Sequence, residues 1–438
     1  MPSLPLTRHP LAARWLLAAL ALLFVALGVR HCFKEGAFRR WQPQIHQMDR
    51  ENIQGKYNYP NPPIMAVILE PLARLPVGGA LVWFALEAVM ALVSLYWVFR
   101  LVEDADLPFP PWAVGLTVLL SLKPIVDDLN HGNVNLFILF LVMACLTAFR
   151  SRRDLLAGLL LALAISCKVT PALFVPYFVW KRQWRLLIGC AAGLVLFLYP
   201  GLVPALRLGW DENQAQLISW YENMVRPFVI EGKVTSEHIN QSLPGLVSRL
   251  LTHRPSFITW DDGIETAARF DNVLSLSPEV AKFLVKGCMG LFALLFVFFA
   301  RTPTDTRRGW RLAAEMGMVV LGMLLFSERT WKHHCVTLML PIGVVCYRLA
   351  QAEVRSRAWW CLAASLAVTA GLMVVPGLGG GTDRATAAAS PGLAKLSLVY
   401  GAYTWAWLVL LAQLVGLLRR AGSTPKAVAT TEPPAVAA

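Results

Sequence analysis

Charge is what this sequence has least of. Only 15% of its 438 residues are Asp, Glu, Lys or Arg, where soluble globular chains carry about a quarter. Hydrophobic residues make up 56%, and the mean hydropathy is +0.54. With many apolar runs of about 18 residues or more, this shortage places the chain in a lipid bilayer. Strand-like alternation is also missing, which excludes an outer-membrane barrel. Cysteine pairs are missing too: the 8 cysteines are scattered without a C-x-x-C, most of them inside apolar runs. There cysteine behaves as a small hydrophobe, so neither a disulfide framework nor a zinc site is expected. Internal repeats are not evident.

Acids are scarcer than bases, and the net charge is +13. The basic residues fall in short loops between apolar runs, which argues for orientation in a membrane and against nucleic-acid binding. Arg150, Arg152, Arg153, Lys181, Arg182 and Arg185 gather on one side with Arg301, Arg307, Arg308, Arg311, Arg355, Arg357, Arg419 and Arg420. That side is read as cytoplasmic.

The apolar runs fall at residues 11–30, 78–99, 112–124, 134–149, 155–166, 171–180, 185–200, 281–300, 311–326, 335–350, 357–376 and 396–418. The expected fold class is an all-α polytopic membrane protein, a bundle of about 11–13 transmembrane helices with outer-face loops and short interfacial helices. Several runs are too short to cross alone; broken helices are tolerated where they line a protein-buried or water-filled cavity. The first run reads as a retained signal anchor with the N-terminus in the cytoplasm of a multi-pass inner (plasma) membrane protein. Residues 1–420 are expected to form one membrane domain, with outer loops at 31–77 and 201–280, and 421–438 a disordered cytoplasmic tail.

The outer loops hold the unusual chemistry. Between Trp41 and Pro76, Lys56-Tyr57-Asn58-Tyr59-Pro60-Asn61-Pro62-Pro63 excludes a regular helix, because proline lacks the N–H and restricts the residue before it. Tyr57 and Tyr59 suit a membrane–water boundary, and Ile64–Leu75 is expected to dip into the interface or pack as a short helix. Lys123-Pro124-Ile125-Val126-Asp127-Asp128-Leu129-Asn130-His131-Gly132-Asn133-Val134-Asn135 carries two acids, a histidine and three asparagines. They either cap a helix and complement its dipole or line a sugar or phosphate cavity. Lys168, in Ser166-Cys167-Lys168-Val169-Thr170-Pro171, either snorkels to the headgroups or meets a lipid phosphate. Asn240, Gln241 and Arg249 belong either to a solvated loop or to a sugar and phosphate site. Ser327-Glu328-Arg329-Thr330-Trp331-Lys332-His333-His334 forms an interfacial anchor or brings an aromatic face, cations and imidazoles to the cavity. Adjacent histidines on a helix point about 100° apart, so a shared metal is not expected.

Taken in order, these motifs resemble glycosyltransferase family 87, the polyprenyl-phosphate-mannose-type transferases of the GT-C superfamily. Tyr59-Pro60-Asn61-Pro62-Pro63 with Glu70-Pro71-Leu72 and Leu75-Pro76 resembles the family's first-loop signature. His131-Gly132-Asn133-Val134-Asn135 resembles its Gly-Gln-Val-Asn element, with Asn133 where Gln is usual. Lys168-Val169-Thr170-Pro171, Lys181-Arg182-Gln183-Trp184-Arg185, Asn240-Gln241-Ser242-Leu243 and Trp331-Lys332-His333-His334 complete the series. The resemblance covers roughly residues 30–350. It implies a membrane hexosyltransferase moving a mannose-like sugar from a lipid-linked polyprenyl-phosphate donor to a glycolipid or glycan acceptor, with no cofactor beyond the donor and with metal dependence left open. A first-loop acid commonly serves as the base in this superfamily. Here Arg30–Trp41 holds no Asp, so Asp49, Asp128 and Asp127 are the candidates, with Glu35 and Glu51 behind them. Lys168, Arg249, Lys332, His333 and His334 would face the phosphate. Tyr57, Tyr59, Asn61, His131, Asn133, Asn135, Asn240 and Gln241 would face the rest of the substrate. A transporter or flippase for a lipid-linked or anionic substrate is the alternative, although its usual paired broken helices are not seen.

Overall fold

The computed structural model describes residues 38–379 and 388–422, apart from 49, 58, 76, 77, 262 and 263, together with residues 22, 26 and 28–30. The first run and the 421–438 tail therefore lie almost wholly outside the described residues, as do Asp49 and Glu35.

Three short helices open the described chain: α1 (Phe38–His46), α2 (Ile53–Tyr57) and α3 (Pro63–Ala73). The bundle follows with α4 (Gly78–Val102), α5 (Pro111–His131), α6 (Asn135–Arg150), α7 (Asp154–Cys167), α8 (Phe174–Trp180) and α9 (Trp184–Phe197). A lateral segment comes next: α10 (Leu202–Leu208), α11 (Trp210–Trp220), a π-helical stretch over Tyr221–Ile230, α12 (Leu243–Leu251) and the hairpin β1 (Phe257–Asp261) and β2 (Ile264–Arg269). The chain re-enters the bundle with α13 (Pro278–Phe299), α14 (Trp310–Leu325), a 3-10 turn at Lys332–Leu338 leading into α15 (Met339–Gln351), and α16 (Arg357–Val374). It ends with α17 (Leu393–Val399) and α18 (Ala402–Gly422).

Among the described residues, six helical segments are long and apolar enough to cross a membrane: Gly78–Val102, Trp184–Leu208, Pro278–Phe299, Lys332–Gln351, Arg357–Gly377 and Ala402–Ala421. Shorter apolar helices at Asn135–Arg150, Asp154–Cys167 and Thr170–Trp180 stand beside them. They fall short of the roughly 20 residues a lone span needs and persist because they are packed within protein. The all-α membrane architecture expected from composition is what the chain adopts.

Close packing follows from small residues, as helix contacts in lipid require. A Cβ on Gly158 of α7 would lie 2.0 Å from the Leu186 carbonyl oxygen of α9, and one on Gly189 would lie 2.4 Å from the Leu155 carbonyl. At one end of the bundle, the basic turns interlock. Arg307 forks onto Asp154 and donates to the Phe149 carbonyl, and Lys181 pairs with the fully buried Glu315 at 2.6 Å. The polar motifs collect at the other end.

The Trp41–Pro76 segment is not an open loop. Its α1, α2 and α3 pack a second apolar core in which Phe38, Ile45, Tyr59, Ile64, Met65 and Leu69 meet Trp83, Ile138 and Cys167 of the bundle. Ile64–Leu75 thus resolves as the short packed helix α3. Its buried Glu70 receives the Arg207 guanidinium through both Nε and Nη2 and pairs with Arg74. This fork ties the opening helices to α10.

Replacing Gly158 by alanine forces a Cβ into a carbonyl. It should destabilise the folded protein by about 1–3 kcal/mol, the usual cost of overpacking, read as a fall in Tm in detergent. An unchanged Tm would show that α7 and α9 can separate freely.

Candidate active site

The polar end is built by three chain reversals. Helix α5 closes on Gly132, whose φ of 59° is the left-handed cap that glycine reaches without strain, and its N–H bonds the Asp128 carbonyl. Helix α6 then starts at Asn135 with no cap from its own preceding residue. Asp128 caps it instead: Oδ2 accepts the Leu136 N–H at 2.9 Å and Oδ1 accepts from Asn135 Nδ2 at 2.8 Å. Helix α7 stops at Lys168, which is extended at φ −159°, ψ 125° before Pro171 restarts the chain as a 3-10 turn. That break turns the Lys168 side chain to Asn135 Oδ1, 2.5 Å away, and to His334 Nε2, 3.2 Å away.

His334 comes from the 3-10 turn after α14, and its Nδ1 accepts the Trp331 N–H at 3.3 Å. The neighbouring His333 ring stacks on His131 at 4.0 Å with the planes 14° apart, and Nε2 lies 3.3 Å from Asn133 Nδ2. Trp331 meets both rings edge-on. Asp127, one position from Asp128, turns the other way: it is half-buried between Lys123 at 2.5 Å and Lys332 at 3.6 Å. His131, Asn133, Asn135, Lys168, Lys332, His333, His334 and both acids thus converge on one layer, although they come from three separated stretches of sequence.

Asp128 and Lys168 lie outside the six spanning segments, and burial acts on each against its charged form. It pushes the Asp128 carboxyl up to about 7, against the two N–H donors and the nearby ammonium. Lys168 is pulled down to about 8, with Asp128 and Glu328 opposing the shift. The cations and N–H groups of this layer suit a phosphate. Among the described residues, no three His, Cys, Asp or Glu side chains are grouped to hold a metal ion.

The structure corrects four expectations. Arg249 does not face a substrate: it is fully buried, and it donates to the carbonyls of Val399, Ser236, Glu237, Asn240 and Leu398. Asn240 and Gln241 are buried braces as well. Asn240 bonds the Glu328 carbonyl and the Thr330 N–H, and Gln241 bonds the His238 and Leu398 carbonyls. Together they hold the Ser327–His334 segment in place without entering the layer. Tyr59 is 1% exposed and packs edge-on against Trp41, so its ring is core. Its neighbours stay nearer the surface: the single Tyr57 hydroxyl proton is shared between Gln47 Oε1 and Glu51 Oε2, and the Asn61 carbonyl accepts from Gln54. Asp128 is fully buried, with each oxygen already accepting from α6, so it presents no open face to a substrate hydroxyl. Sequence reading also passed over Glu87, a fully buried acid in α4 whose carboxylate oxygens have no hydrogen-bond partner among the described residues. Its signal was a lone carboxylate in a long apolar run.

The sequence profile of glycosyltransferase family 87 matches residues 59–327. A polyprenol-phosphate-mannose-dependent alpha-(1-2)-phosphatidylinositol mannoside mannosyltransferase of Mycolicibacterium smegmatis is 28% identical over 331 residues, 70% of this chain and 66% of that protein. A polyprenol-phosphate-mannose-dependent alpha-(1-2)-phosphatidylinositol pentamannoside mannosyltransferase of Mycobacterium tuberculosis is 28% identical over 284 residues, 64% of this chain and 56% of that protein. The matches therefore span between about half and two thirds of these relatives' lengths. Among solved structures, ArnT from Cupriavidus metallidurans in the apo state aligns over 93% of this chain and 77% of its own, at 15% identity and a TM-score of 0.42.

Removing the Arg249 guanidinium strands five buried carbonyls. Arg249→Met should cost on the order of 3 kcal/mol or more, seen as a lowered Tm and poor recovery from the membrane, with lysine restoring only part of the loss. A variant that keeps the parent Tm but loses phosphate binding would return Arg249 to the substrate site.

Proposed function

Because the chain belongs to glycosyltransferase family 87, we propose that it is a multi-pass membrane hexosyltransferase that moves a mannose-like sugar from a polyprenyl-phosphate donor to a glycolipid or glycan acceptor. The polar end is the non-cytoplasmic face, the basic end and the N-terminus are cytoplasmic, and the membrane is the inner (plasma) membrane. The observation that carries this reading is the meeting of Lys168, His334, His333 and Asn133 at the polar end of an apolar bundle. An anionic headgroup can reach cations and N–H donors there while its hydrocarbon tail stays in lipid.

In the reaction, a carboxylate accepts the proton of the acceptor hydroxyl, whose oxygen bonds to the anomeric carbon. The bond from that carbon to the phosphate oxygen breaks, and its electron pair leaves on polyprenyl phosphate. Developing negative charge on the leaving phosphate is what preorganised donors stabilise best, and Lys168, His334 and Lys332 fill that role. The base is Asp49 of the first segment. Asp127 is the alternative, half-buried in the layer of Lys168 but already paired with Lys123 and Lys332. The phosphate is its own leaving group, so the reaction calls on no cofactor. The mycobacterial relatives carry polyprenol-phosphate-mannose dependence in their names, which supports the choice of donor.

Full-length protein in lipid, given a radiolabelled polyprenyl-phosphate sugar and candidate acceptors, should transfer the label. Lys168→Met should cut transfer by at least about a hundredfold, the scale of losing one charge-stabilising donor. Asp49→Asn should abolish turnover while donor still binds. Movement of the labelled lipid across vesicles without any transfer would sink the transferase reading and favour a flippase.

A further inference from the structure

The contacts that seal Asp128 assign it a different task from taking a proton. A carboxylate only accepts hydrogen bonds. Asn135 must therefore present its NH2 to Asp128 Oδ1, which leaves its carbonyl oxygen on the opposite side, 2.5 Å from Lys168 Nζ. The network decides the amide orientation: a flipped Asn135 would set its carbonyl against a carboxylate and its NH2 against an ammonium. Asp128 itself cannot swing away, because Oδ2 holds the Leu136 N–H at the start of α6, where the helix dipole also favours a negative charge.

The far end of this chain of contacts is as constrained. His334 Nδ1 accepts the Trp331 N–H, so in the neutral ring the proton sits on Nε2, which faces Lys168 Nζ at 3.2 Å. An ammonium has no lone pair to offer that N–H. Two donors therefore face the same space, an arrangement completed by an anionic oxygen accepting from both.

Resting on the donor-phosphate reading above, we propose that Asp128 is a positioning residue: through the Asn135 amide it holds the Lys168 ammonium beside His334 for the donor's phosphate, and it takes no proton from the acceptor. Partners that orient a ligand-binding group from behind are the usual way a site keeps its geometry. The groups facing Lys168 are Asp128 from α5, Asn135 from α6, and Glu328, His333 and His334 from the segment after α14. Asp128 and Glu328 are the acids among them and favour the ammonium. Removing the Asp128 charge lets Lys168 lose its proton at lower pH.

The test is Asp128→Asn in full-length protein in lipid, with donor KM and kcat followed across pH. The introduced amide would set its NH2 against that of Asn135, driving Asn135 to flip. Donor KM should rise at least about tenfold and kcat should fall by no more than about a hundredfold, because both the bound phosphate and the charge that develops on it lose the placed ammonium. The alkaline limb of kcat/KM should move to lower pH. The exchanged pair Asp128→Asn with Asn135→Asp returns a carboxylate to Lys168 and should recover most of both effects. Asn135→Ala, which leaves Asp128 on its helix cap, should raise KM as Asp128→Asn does. A kcat loss of a thousandfold or more in Asp128→Asn, with KM and the alkaline limb unmoved, would make Asp128 the base and overturn the proposal. Parent-like KM in Asn135→Ala would overturn it as well. Failure of the transferase reading looks different: parent protein would bind polyprenyl phosphate yet transfer no sugar. Weaker binding of that lipid by Asp128→Asn would then still support the positioning role.

Discussion

One buried chain of contacts, Asp128 to Asn135 to Lys168 to His334, constrains the polar end of this protein. A cation and a carboxylate enclosed by apolar helices are tolerable only when each is compensated. Here an amide placed between them does this, accepting from one and donating to the other. Because the four side chains come from α5, α6, the break after α7 and the turn before α15, satisfying them fixes the relative positions of those elements. The same residues that neutralise one another also converge their donors on one spot.

Around this chain, the protein divides its polar groups between scaffold and site. Asn240, Gln241 and Arg249 spend their hydrogen bonds on backbone carbonyls and N–H groups of the 236–241, 328–330 and 398–399 segments. They carry the Trp331–His334 turn to the layer without entering it. The opening helices act on the other side, clamped to the lateral segment by Glu70 and Arg207 and seated on Trp83 and Ile138. A rigid frame of this kind keeps the Lys168 ammonium in place within the few tenths of an ångström that a preorganised site demands. The break after α7 is the local cost: Lys168 leaves its helix, and the bundle accepts a short helix there because neighbours cover it.

Much of this was readable from the residues. Low charge and long apolar runs sufficed for a helical membrane protein, since each physical requirement of the bilayer leaves a mark on composition. The asymmetry between basic turns and polar turns marked the two ends. The ordered motifs from Tyr59 to His334 were enough to suggest the family to which the chain belongs. What could not be read was which way a polar side chain points. Arg249 and Lys168 look equally suited to a phosphate in the sequence, yet one is walled in by five carbonyls and the other faces an imidazole. Tyr57 and Tyr59 look alike, and only one is core.

The two adjacent acids show where the limit lies. The sequence by itself determined that Asp127 and Asp128 stand with a histidine and three asparagines between two apolar runs, and so that charge would gather at that end; that they lie in the last turns of α5 came from the structure. Neighbours on a helix diverge by about 100°, so one must face a different environment from the other, but local pattern does not say which. The tertiary structure decided it: α6 docks its first N–H against Asp128, while Lys123 and Lys332 close on Asp127. The physical reason is that burial and partnership of a charge depend on elements distant in sequence, and those are fixed only when the whole bundle packs.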